Sequence, residues 1–93
     1  MTISYLCLDG ARMKNCDFTN CQMVEVSFES AQLQHCIFNE VNLKSANLRN
    51  ANISQSSFLN ALLVGADLMR CIAKQCNFTK ARLVKADLKE GDF

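Results

Sequence analysis

The sequence predicts an all-β solenoid, one domain over residues 1–93, in which the chain winds into stacked parallel coils of twenty residues with four sides each. Three observations predict it. A large apolar residue recurs at every fifth position, a small residue stands two places before each of these centres, and phenylalanine recurs every twenty residues at Phe18, Phe38, Phe58 and Phe78.

The period of five starts at Ile3, passes through Leu8, Met13 and Phe18, and still runs at Leu83, Leu88 and Phe93; eighteen of its nineteen centres are large and apolar. On an α-helix a step of five advances about 140° and would scatter these side chains around the whole circumference. On a straight strand an odd step sends alternate members to opposite faces. Only a chain that turns once per five residues gathers them in one core. The slot two residues before each centre holds eight Ala and five Cys, with Val26, Val41, Ser56, Gly91, Met1 and Leu6. A large and a small inward residue in each quintet would fill a narrow interior without voids.

Corners are expected two residues after each centre, where Gly10, Asn15, Asn20, Asn50, Asn60 and Gly65 tolerate unusual backbone dihedrals. The spacing of the phenylalanines makes four such sides one coil. At a strand spacing of about 4.8 Å the chain would build roughly four and a half coils, with the Phe rings stacked down one side. Ala73 is the one centre too small for its place, so a local cavity is expected there, or a bulge that turns Ile72 inward. The repeat begins at the first residue and continues to Phe93 without an amphipathic capping helix. An end is therefore expected to pair with another molecule or to continue into a longer protein.

The units ANLRN ANISQ, ADLMR, CNFTK and ARLVK ADLKE resemble the A(D/N)Lxx units of pentapeptide repeat proteins, and the registered centres extend that resemblance over the whole chain. The resemblance implies a right-handed quadrilateral parallel β-helix with the centre and the residue two before it pointing inward. It also brings in relatives that look like strongly acidic rods, imitate B-form DNA and act on DNA gyrase. This chain departs from those in its formal net charge of +1 and its 93 residues.

Composition excludes several classes of function. No apolar run approaches the roughly 18 residues of a membrane span, and the N-terminus lacks a basic region followed by an apolar one, so a cytoplasmic protein is expected. A near-neutral charge argues against direct nucleic-acid binding. Five of the six cysteines occupy the small inward slot, and only Cys7 does not. They read as small hydrophobes with free thiols, since the spacing of Cys16 to Cys21 and of Cys71 to Cys76 follows from the period and not from a zinc motif, and the single histidine, His35, falls on a corner. Asp67, Asp87 and Asp92 precede apolar centres and read as solvated or turn-stabilising side chains. No catalytic, cofactor-binding or metal-binding residue is assigned, and the chain is expected not to be an enzyme.

Large apolar residues on positions that should face solvent are more informative: Val24, Ile37, Leu59, Leu62, Val64, Met69 and Val84. Of these, Leu62, Val64 and Val84 fall on one side in adjacent coils with Leu59 just before the corner, and Lys80, Arg82 and Lys85 lie around them. Residues 47–93 carry seven basic and four acidic side chains, against three and five in residues 1–46. This apolar centre with a basic rim is the candidate protein-binding or self-association face. The expected function is a bacterial, non-enzymatic interaction scaffold that binds a protein partner or forms a homodimer through an end or this face. The alternatives are a gyrase or topoisomerase modulator, or the repeat segment of a larger effector translocated into a host cell.

Overall fold

A computed structural model describes all residues, Met1 to Phe93. Its ladder is uniform: the residue before each centre forms a parallel β-bridge with the residue twenty further on, from Thr2 with Gln22 to Ile72 with Asp92. Twenty residues therefore complete one circuit, and each circuit has four corners. Side 1 holds the centres Ile3, Met23, Leu43, Leu63 and Leu83. Side 2 holds Leu8, Phe28, Leu48, Leu68 and Leu88, side 3 Met13, Leu33, Ile53, Ala73 and Phe93, and side 4 the four spaced phenylalanines.

Every corner takes a left-handed residue two places after the centre, including Tyr5, His35, Arg70 and Lys80 as well as the asparagines and Gly10 and Gly65. At most corners the next small residue donates its amide to the preceding centre, as in Ala61 N to Phe58 O at 3.1 Å, closing a β-turn with positive φ at its third position. Gly65, at φ +69°, suits this slot, and its missing side chain leaves open a place that lies 3.5 Å from Ser45 Oγ.

Three further backbone bonds per quintet join neighbouring coils. Phe38 N donates to Ser57 O at 2.7 Å, Glu40 N to Leu59 O at 2.8 Å, and Ser57 N returns a bond to Cys36 O at 3.0 Å. One amide in five, on the residue after the centre, receives no backbone partner. The Asn or Asp before the centre supplies it: Asn52 Oδ1 accepts from Ser54 N at 3.1 Å, Asp67 Oδ1 from Met69 N at 3.0 Å and Asp87 Oδ1 from Lys89 N at 3.0 Å. Elsewhere a side chain one coil below does so, as Asp9 Oδ1 accepts from Glu29 N at 2.9 Å and Asn39 Oδ1 from Leu59 N at 3.0 Å. The polar member of each A(D/N)L unit is thus a turn cap, because a backbone donor left without an acceptor is costly. The same chemistry holds the Asp9 carboxyl below its ordinary value, chiefly through the Ser27 hydroxyl.

The core is the stacked inward residues, with Met23, Phe28, Leu33, Phe38, Leu43, Leu48, Ile53, Phe58, Leu63 and Leu68 fully enclosed. The phenylalanine pile is present: Phe18 to Phe38, Phe38 to Phe58 and Phe58 to Phe78 have ring centroids 5.0, 4.7 and 5.1 Å apart. Phe93 tilts toward the top of this pile, 6.1 Å from Phe78. Its ring folds across Gly91 and takes the space a Cβ would occupy there.

The bulge expected at Ala73 is absent. Ala73 is buried while Ile72 stays outward at 39% exposure and bridges both Asn52 and Asp92. Turning Ile72 inward would break the bonds Ile72 N to Ala51 O at 2.9 Å and Ile53 N to Ile72 O at 2.7 Å, and a smaller core residue costs less than that break in the ladder.

Candidate functional site

The coil geometry brings the face read from the sequence together on side 1. Leu62 bridges Arg82 directly above it, and Val64 and Val84 occupy equivalent places in successive coils. Leu62 is 38% and Val84 62% exposed, while Val64 and Leu59 are half-buried. Lys80 and Lys85 stand at the two corners that bound side 1, with φ 59° and 61°, and Arg82 lies between them. Leu59 sits on side 4, beside the Lys80 corner.

None of these three basic groups is neutralised within the chain. The ion pairs are Arg49 with Asp67, Arg70 with Glu90 and Lys74 with Asp92, all on sides 2 and 3. The turn amides of the patch also lack caps, since Leu62 and Arg82 stand where Asn42 caps the equivalent turn on the same side by accepting from Lys44 N at 3.1 Å. Leu62 and Arg82 therefore forgo a stabilising turn cap that most other quintets have.

The remaining apolar residues off the core do not join this patch. Ile37 is exposed on side 4, Ile72 on side 3, and Met69 is half-buried on side 2, while Val24 lies on side 1 but two coils below Val64. Two carboxylates that sequence reasoning passed over, Glu25 and Glu40, occupy the same two corners of side 1 lower down the rod, with φ 56° and 58°. Counting residues in steps of twenty would have placed them there.

The cysteines divide into two kinds. Cys21 and Cys71 fill the core, as the sequence suggests. Cys36 and Cys76 do more, donating their thiols to the carbonyls of Met13 and Ile53, so they are not merely small hydrophobes. Burial pushes the Cys71 thiol up from 9.0 to about 11, and it raises Cys36 and Cys76 as well. A thiol whose folded value is raised contributes stability that is complete below about pH 9 and is lost as pH rises toward 11. At pH 8 a brief alkylation of the native protein should label exposed Cys7 first, whereas Cys21, Cys36 and Cys71 should react only in denaturant, as peptide mass mapping would read.

A family model described as the pentapeptide repeat region matches residues 11–93. No curated protein matches the chain by sequence. Among solved structures, HetL, a pentapeptide repeat protein involved in heterocyst differentiation regulation from the cyanobacterium Nostoc, superposes with a TM-score of 0.71 at 22% identity, covering 98% of this chain and 46% of its own. A trypsin-treated M102R form of QnrB1, a plasmid-mediated fluoroquinolone resistance protein, gives 0.68 at 16% identity over 97% of this chain and 54% of its own. A pentapeptide repeat protein from the Arabidopsis thaliana thylakoid lumen gives 0.58 at 22% identity, covering 89% and 68%. The chain spans about half the length of the first two. What the likeness carries at these identities is the fold, the right-handed quadrilateral β-helix of such proteins. With the twenty-residue ladder, the left-handed corners and the matched repeat region in agreement, the chain belongs to the pentapeptide repeat family.

Proposed function

We propose that the protein is a non-enzymatic interaction module that recognises a protein partner by the shape and chemistry of side 1. The observation that carries this reading is the outward patch of Leu62, Val64 and Val84 beside three basic side chains with no partner in the chain. A quintet that needs only a stable turn would carry Asn or Asp at position 62, as it does at position 42. An apolar residue there exposes hydrocarbon and leaves a turn amide uncapped, a combination suited to a surface that is covered by another molecule.

The gyrase-modulator alternative draws no support from the surface. Side 1 carries Lys44, Arg82 and Lys85 against Glu25 and side 3 Arg12, Lys14 and Lys74 against Asp92, while Asp9, Glu29, Asp67, Asp87 and Glu90 stand on side 2 against Arg49, Arg70 and Lys89, so carboxylates gather on one side between two basic ones and do not run around the rod as a phosphate backbone would.

Leu62→Asn tests the proposal without threatening the fold, because the new amide can accept the Val64 N–H. This variant should gain about 1 kcal/mol in urea unfolding. Paired with Val64→Lys, it should abolish capture of a discrete protein that the wild-type chain retains from an extract of the cells that make it. Retention of the same set of proteins by both forms would refute the assignment of side 1.

A further inference from the structure

We infer that the protein side 1 takes is a second copy of this chain, lying antiparallel and pairing side 1 with side 1 about a two-fold axis perpendicular to the rod. The inference rests on reading side 1 as a binding face and adds the identity of what covers it. Its basis is the arrangement of charge along the two bounding corners. Glu25 and Lys85 share one corner column, and Glu40 and Lys80 share the other. All four are exposed, and none takes part in an ion pair within the chain. Acidic groups thus bound the lower end of side 1 and basic groups the upper end.

Such a surface is complementary to itself in one orientation only. Rotating a copy by 180° about an axis in the plane of side 1 and across the rod keeps each corner column against its own counterpart while reversing its direction. Glu25 then faces the second copy's Lys85, and Glu40 faces the second copy's Lys80. Both pairings require the axis at nearly the same height. The level midway between residues 25 and 85 is that of residue 55, and midway between 40 and 80 it is that of residue 60, a quarter of a coil apart, or about 1 Å at strand spacing. The alternative side-by-side arrangement, with rods parallel, sets Glu25 against Glu40 and Lys85 against Lys80, which like-charge repulsion opposes.

The apolar residues obey the same axis. Val24 and Val84 occupy one column, and their midpoint is the level of residue 54, so Val24 of each copy meets Val84 of the other. At that level Val64 of each copy faces Lys44 of the other and Leu62 lies nearest Asn42 of the other, each within about half a coil, roughly 2.4 Å, of the axis. The Lys44 stem covers the facing Val64 with hydrocarbon while its ammonium reaches solvent at the rim. Arg82 falls opposite the amide pair in which Asn42 Nδ2 donates to Gln22 Oε1 at 3.1 Å.

A side of roughly 20 by 20 Å offers about 400 Å² per copy, half of the ~800 Å² per partner of a standard interface, so the dimer belongs to the weak, reversible class. Sedimentation velocity from about 10 μM to 1 mM, in low salt and again in about 0.5 M salt, reads it directly. The wild type should associate with rising concentration, and less so in high salt. Lys80→Glu with Lys85→Glu, and separately Glu25→Lys with Glu40→Lys, should each weaken association at least tenfold. Both residue types already occupy these left-handed corners, so the exchanges preserve the fold, and circular dichroism will check it. Mixed together, the two variants should restore a one-to-one dimer, because every corner then meets its opposite charge.

A wild type that remains monomeric to 1 mM, variants that associate as the wild type does, or a mixture that stays monomeric would each overturn the antiparallel pair. Capture of a different protein that is lost in Leu62→Asn with Val64→Lys, from a chain that does not self-associate, would leave the binding face standing and remove only its assignment to a second copy.

Discussion

Replacing Phe58 by alanine is expected to lower stability by about 3–5 kcal/mol, a loss that only the equally enclosed Phe38 should match within the aromatic pile. Phe58 is fully buried, and its ring lies between two others at 4.7 and 5.1 Å. Truncation empties a space that the rod cannot close, because the coils on either side are held at fixed height by bonds such as Phe38 N to Ser57 O and Phe58 N to Asn77 O, both 2.7 Å. Phe38 and Phe78 would each lose a stacked neighbour. Against the 5–15 kcal/mol typical of a domain, the variant should lose about a fifth of its stability or more. Position along the rod sets the size of the effect, since each coil interacts only with its neighbours. Phe78→Ala, at a half-buried position near one end, should therefore cost less than half as much in urea unfolding. Equal losses at the two positions, or a loss below about 1 kcal/mol at Phe58, would show that the aromatic pile does not hold the coils together.

That pile is legible in the amino-acid order alone because a step of five suits neither a helix nor a straight strand, and a step of twenty counts the corners. Corner conformation is legible only in part. Asn20 and Gly65 announce a left-handed residue, but Glu25, Arg70 and Lys80 adopt the same dihedrals with nothing in their chemistry to favour them. A left-handed residue other than glycine costs about 1–2 kcal/mol, and the inter-coil bonds on either side of each corner impose it nonetheless. The role of Asn and Asp is visible as a turn-stabilising slot. Its particular acceptor work depends on which amide the ladder leaves over. Ala73 misleads for a related reason: volume argues for a rearrangement that the ladder does not permit.

The candidate face is legible where residue columns are followed and hidden where they are not. Leu62, Val64 and Val84 emerge from the period alone. Glu25 and Glu40 belong to the same side but stand 60 and 40 residues from the lysines that share their corners, a separation that looks unrelated until the chain is wound. Charge split between the two halves of the sequence is thereby converted into charge split between the two ends of one surface.

Ser56→Ala should be the second most damaging change tested, costing about 2–4 kcal/mol for the loss of one oxygen atom. At the corner from side 3 to side 4 the usual turn bond fails: Cys16, Cys36 and Cys76 do not donate their amides to the preceding centres, and Ser56 does so only at 3.3 Å. Ser56 Oγ repairs one of these corners. It accepts from Cys36 N at 3.0 Å and donates to Leu33 O at 2.9 Å, and both groups are otherwise unpartnered. Alanine would leave a buried donor and a buried acceptor unsatisfied at once. Ser56→Cys should recover most of the loss, to within about 1 kcal/mol of wild type, because Cys36 and Cys76 bond the equivalent carbonyls of Met13 and Ile53 in this same column. Urea unfolding measures the loss, and hydrogen exchange should show the Cys36 amide exposed first in the alanine variant. If cysteine at position 56 proves as damaging as alanine, or if alanine costs less than about 0.5 kcal/mol, this column selects its residues by size alone, as the alanine columns of the other sides do.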